Sequence, residues 1–345
     1  MSERGVSVVA GGMHEGAPRI VSRPRIRIWQ RFAILGVVVI VGAVGLLLWD
    51  LPSDPSRRGF WIALDLRVVS LGTIALVATC QAVATVLFHT ATSNRILTPS
   101  IMGFDALYVV MQTALVFFFG GAALHATDGL LKVAVQSLLM VGFATLLYGW
   151  LFAGKRGNLH IMLLIGVVLG VGFGSLSTVM QRLLTPSEFD VLSAKLFGNL
   201  SNSNPEYLPW AAGIVVILGA IVWRARFRLD VLALGRDTAT SLGVSYKREV
   251  MGLLVLTAIL ISISTTMVGP MTFFGFIVAT LAYQLAGSAQ HRIVLPFAIL
   301  LAVATMITAY FVLRHVFYAA GMLSVIIEFA GGIFFLVYLL RKGAL

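Results

Sequence analysis

The sequence predicts an all-α membrane protein, a bundle of ten transmembrane helices with both termini on the cytoplasmic side. Three observations carry that reading. Of 345 residues, 59% are hydrophobic and only 11% charged, whereas a soluble domain carries about a quarter charged residues to cover its surface. The apolar residues fall into runs near the roughly 20 residues that a helix needs to cross hydrocarbon. Alternating ten-residue strands between turns, the pattern of a membrane barrel, are missing.

The runs, broken by charge or turn residues, are Phe32 to Trp49, Val68 to Phe88, Ala106 to Leu124, Val133 to Gly154, Ile161 to Met180, Leu208 to Trp223, Val250 to Gly269, Met271 to Gly287, Ile293 to Leu313 and Met322 to Leu340. The pair divided at Val268-Gly269-Pro270 has so short a loop that one half could be re-entrant. Residues 1–31 are polar and Arg-rich, without a small-residue cleavage site, and read as a flexible basic cytoplasmic tail. Residues 32–345 then form one transmembrane domain.

Cytoplasmic loops collect Lys and Arg. An even number of spans places 18 of the 25 Lys and Arg on the side of the termini, leaving Arg57, Arg58, Arg67, Lys132, Arg182, Lys195 and Arg314 outside. The net charge of +11 follows from this bias and from anionic headgroups, not from nucleic acid. Cys80, the one cysteine, lies inside an apolar run and reads as a small core residue.

An enzyme needs converging acids, bases or nucleophiles, and 14 Asp and Glu with 6 His are spread thinly along the chain. Gly149 to Arg156, GWLFAGKR, matches the glycine and lysine spacing of a phosphate loop. It has Arg156 where Mg²⁺ requires Ser or Thr, and amides within a lipid-embedded helix are already bonded. No ATPase site, metal site or bound cofactor is therefore expected on this chain.

The segment from Arg224 to Glu249 differs in kind. It reads as two short helices, Leu229 to Leu234 ending at Gly235 and Arg236 to Leu242 ending at Gly243, each glycine suited to a left-handed helix terminus. Leu232, Leu234, Ala239 and Leu242 supply one small apolar surface among charges such as Asp237. Such a surface fits either a partner's groove or the membrane interface. Gly166, Gly170 and Gly174, at steps of four, share one helix face and suit close helix approach. Ionisable groups inside the membrane are costly. Glu328 is foremost among them, with a packing partner or a place on the pathway as its two readings, and Asp105 and His89 flank the second and third spans.

The stretch LDVLALGRDTATSLGVSYKR, followed by VGPMTFFGFIVATLAYQLAGSAQHRIVLP, closely resembles the permeases of binding-protein-dependent ABC importers for iron-siderophores and vitamin B12. The specific positions are Ala233, Leu234, Gly235, Ala239, Leu242, Gly243 and Val244, with Gly269-Pro270 and Gly275. The likeness extends through Asp65-Leu66-Arg67, SNRILTPSIMGFDA, Arg314 and FAGGIFFLVYLLRK, so it covers most of the chain after about residue 60.

That resemblance implies ten spans per subunit, a second permease subunit, two cytoplasmic ATPases carrying ATP and Mg²⁺, an extracytoplasmic binding protein and a place in a bacterial cytoplasmic membrane. It implies that Leu232, Ala233, Leu234, Gly235, Asp237, Ala239, Leu242 and Gly243 couple to the ATPases. Arg67 and Arg314 would be outward-end arginines that dock the binding protein, with Arg57 or Arg58 substituting for a second expected basic residue that Ser70 replaces. Asn158, Leu159 and His160 align with a cytoplasmic gate, and Asn94-Arg95 replaces the family's Asn-Pro. Glu328 stands where the vitamin B12 branch has a hydroxyl residue, which suggests the branch for anguibactin, petrobactin or catecholate iron chelates. Vitamin B12, haem and a stand-alone secondary transporter are the alternatives.

Overall fold

A computed structural model of the chain describes residues 28–51, 58–121, 130–153, 159–197, 200, 205–317 and 323–343. The helices are α1 Ile28–Leu48, α2 Arg58–Thr92, α3 Phe104–Phe119, α4 Leu130–Ala153, α5 Leu159–Arg182, α6 Pro186–Leu196, α7 Leu208–Leu232, α8 Arg236–Ser241, α9 Tyr246–Val268, α10 Phe274–Ala286, α11 His291–His315 and α12 Leu323–Gly343. Among the described residues no strand is present.

Six helical segments among the described residues are long and apolar enough to cross a membrane: 28–48, 58–92, 164–182, 205–232, 246–268 and 291–315. Shorter apolar helices cover 104–119, 134–146, 274–286 and 323–337. Each apolar run of the sequence overlaps one of these elements, and residues 122–124, 154 and 322 of the runs lie outside the described residues. The basic tail, residues 1–27 of it, lies outside the described residues.

The bundle is built around α2, whose 35 residues extend about 50 Å at 1.5 Å per residue. α7, α9, α10 and α11 pack around it. Its side chains from Ile74 to Ala91 are mostly buried, with Ala78, Cys80, Ala82 and Ala84 among the small ones. Small side chains let neighbouring backbones approach in lipid, where the hydrophobic effect gives no drive for helix association. Gly275 of α10 shows the limit: a Cβ there would overlap Thr85 Oγ1 of α2. α1, by contrast, fully buries only Leu46 among its side chains and leans on α11.

Two elements differ from the sequence expectation. α6 lies between the fifth and sixth apolar runs, too short and polar to register as a span. Thr185 opens it with a capping box: its hydroxyl accepts from Glu188 N while the Glu188 carboxylate accepts from Thr185 N at 3.1 Å. α7 continues unbroken to Leu232, so the expected separate helix from Leu229 to Leu234 is instead the last turn of a longer one. Leu229 and Leu232, three apart on one face, are both buried. That burial keeps the helix regular beyond its hydrophobic length.

Candidate functional site

The turn between α7 and α8 closes tightly. Ala233 N bonds to Leu229 O at 3.0 Å and Gly235 N to Leu232 O at 3.1 Å. Gly235 sits at φ 96° and Gly243 at φ 82°, a region that strains residues with a Cβ. At the end of α8, Val244 N reaches Ala239 O and Gly243 N reaches Thr240 O, both at 3.0 Å. That bond pair is the Schellman termination, which stops α8 and turns the chain into α9.

This turn sorts the apolar residues that the sequence groups together. Leu232 and Ala239 are fully buried against the bundle, whereas Leu234 and Leu242 are 61% and 60% exposed. Ala233, Asp237 and Gly243 are exposed with them. The expected single surface is thus two: one pair anchors the segment and the other projects from it. Arg228 and Glu249 close its base at 3.2 Å. Arg226 lies over the rings of Trp223 and Phe227, at 4.7 and 4.5 Å from their centres.

Behind the turn, Asp230 accepts from His291 N and His291 Nδ1, both at 2.7 Å. His291 Nε2 in turn lies 2.7 Å from Thr90 Oγ1. Asp230, His291 and Thr90 were not candidates from the sequence, since 61 residues separate the first two and no local pattern pairs them.

Since Asp230 meets the first residue of α11 and Arg314 stands near its last, the α7–α8 turn and Arg314 occupy opposite ends of the bundle. Arg58 and Arg314 are exposed, and Arg314 Nη1 is 3.4 Å from Tyr310 Oη. Arg57 lies outside the described residues. Arg67, the other arginine expected to dock the binding protein, is turned inward. It is 7% exposed, and its guanidinium donates to Leu47 O at 3.1 Å, Trp49 O at 2.6 Å and Asp50 O at 3.0 Å. The physical reason is the C-terminus of α1, whose last carbonyls lack helical partners and attract a cation. Arg31 makes a similar reach at the other end of α1, donating to Leu285 O.

Gly166 and Gly170 face the turn before α3. A Cβ on Gly103 would stand 3.2 Å from Gly166 O and Gly170 N, and one on Gly166 would stand 3.2 Å from Met102 Cα. Gly174, one step further, meets nothing within 4 Å. Leu159 and His160 begin α5, and Asn158 lies outside the described residues.

Glu328 and Asp105, distant in sequence, meet at one threonine. Thr272 N donates to Glu328 Oε1 at 3.3 Å and Thr272 Oγ1 donates to Asp105 Oδ2 at 3.0 Å. Thr272 follows Gly269-Pro270, so the family-like turn is what brings the two carboxyl groups to one place. Among the described residues no group of three or more His, Cys, Asp or Glu is placed to hold a metal ion.

The sequence pattern of the FecCD transport family matches residues 32–342. The petrobactin import system permease FatC of Bacillus anthracis is 43% identical over 319 residues, covering 92% of this chain and 90% of the relative. The petrobactin permease YclO of Bacillus subtilis is 38% identical, covering 91% and 98%. Among solved structures, an inward-facing metal-chelate type ABC transporter superposes with a TM-score of 0.77 at 20% identity, covering 91% of this chain and 99% of that one.

Proposed function

Because the chain belongs to the FecCD transport family, we propose that it is the permease subunit of an ATP-binding-cassette importer that moves an iron(III)–siderophore complex across a bacterial cytoplasmic membrane by alternating access. The chain is a multi-pass membrane protein of ten spans with both ends in the cytoplasm. It pairs with a second permease subunit to enclose the path. Two separate ATPase subunits hold ATP and Mg²⁺, and an extracytoplasmic binding protein delivers the chelate. Identity to two petrobactin permeases supports an iron chelate over vitamin B12 or haem.

The observation that carries this reading is the split of the apolar residues on the α7–α8 turn. Leu234 and Leu242 project while Leu232 and Ala239 are fully buried. Two exposed leucines flanking one short helix are an insertion surface, and a six-residue helix has no stability of its own in water. Here the buried pair, the Schellman end and the Arg228–Glu249 bridge hold it rigid, so a push on the leucines is delivered to the bundle. Ala233, Gly235, Asp237 and Gly243 complete the surface. At the other end Arg58, Arg57 and Arg314 offer charge to acidic residues of the binding protein. Leu159 and His160, with Asn158, form the cytoplasmic gate, and Glu328 borders the path.

The test is ATP-dependent uptake in proteoliposomes containing both permeases, the ATPases and the binding protein, with a panel of iron chelates. Iron-siderophore accumulation that needs ATP is expected, with Leu234→Asp/Leu242→Asp protein inserting normally but failing to retain the ATPases. Equal uptake by this chain without ATPases would overturn the proposal.

A further inference from the structure

We infer that Asp230, His291 and Thr90 form the tie that carries motion of the ATPase-facing turn into α2 and α11. These are positioning residues, argued to act through the helices they join, and the inference rests on the coupling role proposed for the α7–α8 turn.

Asp230 Oδ1 receives two bonds from one residue, the backbone N and the Nδ1 of His291, each at 2.7 Å. His291 opens α11, so its amide is one of the donors that a helix leaves without an internal partner. Asp230 supplies the missing acceptor from a different helix, and its negative charge suits the positive end of the α11 dipole. The imidazole is 1% exposed and both ring nitrogens are engaged, the second at 2.7 Å from Thr90 Oγ1 on α2. One side chain thus joins three helices through bonds at both of its nitrogens.

Position makes the tie mechanical. Asp230 lies two residues before the buried Leu232 and four before the exposed Leu234, within about one helical turn. A displacement at Leu234 therefore reaches Asp230 with little slack. From there α11 runs the full depth of the bundle to Arg314, and α2 runs at its centre. Apolar contacts between helices resist separation but tolerate sliding, because dispersion and area burial have no direction. Short hydrogen bonds are directional, and those to the buried imidazole are strengthened by its enclosure, Asp230 itself being 30% exposed. They set which way α11 follows α7.

The experiment uses the full importer in proteoliposomes, with siderophore uptake and phosphate release measured in the same vesicles. Asp230→Ala and His291→Gln should lower uptake per ATP about tenfold while ATPases stay bound and hydrolysis continues. His291→Asn, whose amide stands where Nδ1 was, should recover a large part of that ratio. Thr90→Val, close to constant in volume, should fall between. If Asp230→Ala does not assemble, Thr90→Val and His291→Gln still decide the matter. An unchanged uptake-to-hydrolysis ratio in the assembled variants would overturn the tie. If Leu234→Asp/Leu242→Asp protein keeps its ATPases and its uptake, the coupling reading itself falls instead.

Discussion

Arg67 of α2 donates through Nη1 to the carbonyl oxygen of Trp49, 2.6 Å away, just past the end of α1. The same guanidinium reaches Leu47 and Asp50, so a helix with few buried side chains is held by its last carbonyls. Arg67→Ala should lower stability by about 1 to 3 kcal/mol, the cost of leaving buried polar groups unpartnered. Arg67→Lys should recover only part, since an ammonium lacks the guanidinium fork. Thermal unfolding in detergent checks this, and binding-protein affinity should move little. A large loss of affinity at unchanged stability would return Arg67 to a docking role.

Arg58 and Arg314 are predicted to act on rate. Reversing both to Glu should slow association with the binding protein about tenfold or more at low salt and flatten its salt dependence, because steering by exposed charge acts on arrival. Stopped-flow association at several ionic strengths measures it, with unchanged unfolding temperature as the control.

Close packing predicts a contrast within one helix face. Gly166→Val should destabilise the bundle, since a Cβ there already meets Met102 at 3.2 Å and overpacking costs about 1 to 3 kcal/mol. Gly174→Ala, with nothing within 4 Å of its Cβ position, should be neutral or slightly stabilising through helix propensity. Unfolding temperatures of the two variants separate them.

Thr272 is the joint between Asp105 and Glu328. Thr272→Val keeps the shape but removes the hydroxyl donor to Asp105 Oδ2. A loss of about 1 to 3 kcal/mol is expected. Asp105→Asn combined with Thr272→Val should lose less than the sum of the two, because the partners act as one unit. A double-mutant cycle by thermal unfolding tests it.

Glu188 provides a pH-dependent signal outside the spans. The Thr185 hydroxyl and then the Thr185 amide donate to its carboxylate and hold its pKa below the ordinary carboxylate value. With a depressed folded pKa, the cap is fully present above the unfolded value of about 4.3 and is lost as pH falls through the lower folded one. Amide exchange over the first turn of α6 should therefore stay slow down to about pH 4 and quicken only below.

Much of this was legible beforehand. Gly235 and Gly243 were recognisable as helix terminators because the left-handed region they occupy is a local demand of the backbone. The α7–α8 apolar residues were recognisable as a set, but not their division into Leu232 with Ala239 and Leu234 with Leu242. Which side of a short helix faces inward depends on what the preceding helix does, and α7 runs past Trp223 to Leu232.

What the sequence determined by itself was the class and its punctuation: an all-helical membrane chain, its apolar segments, and glycines where helices stop. Composition, run length and single-residue conformational preference act over a few residues at a time, so they can be read along a line. Only the tertiary structure decided which polar groups meet. Arg67 went to the orphan carbonyls of α1, Asp230 found His291 across 61 residues, and Thr272 joined Asp105 across 167. Each buried polar atom needs a partner, and the partner is supplied by whichever helix the packing brings alongside.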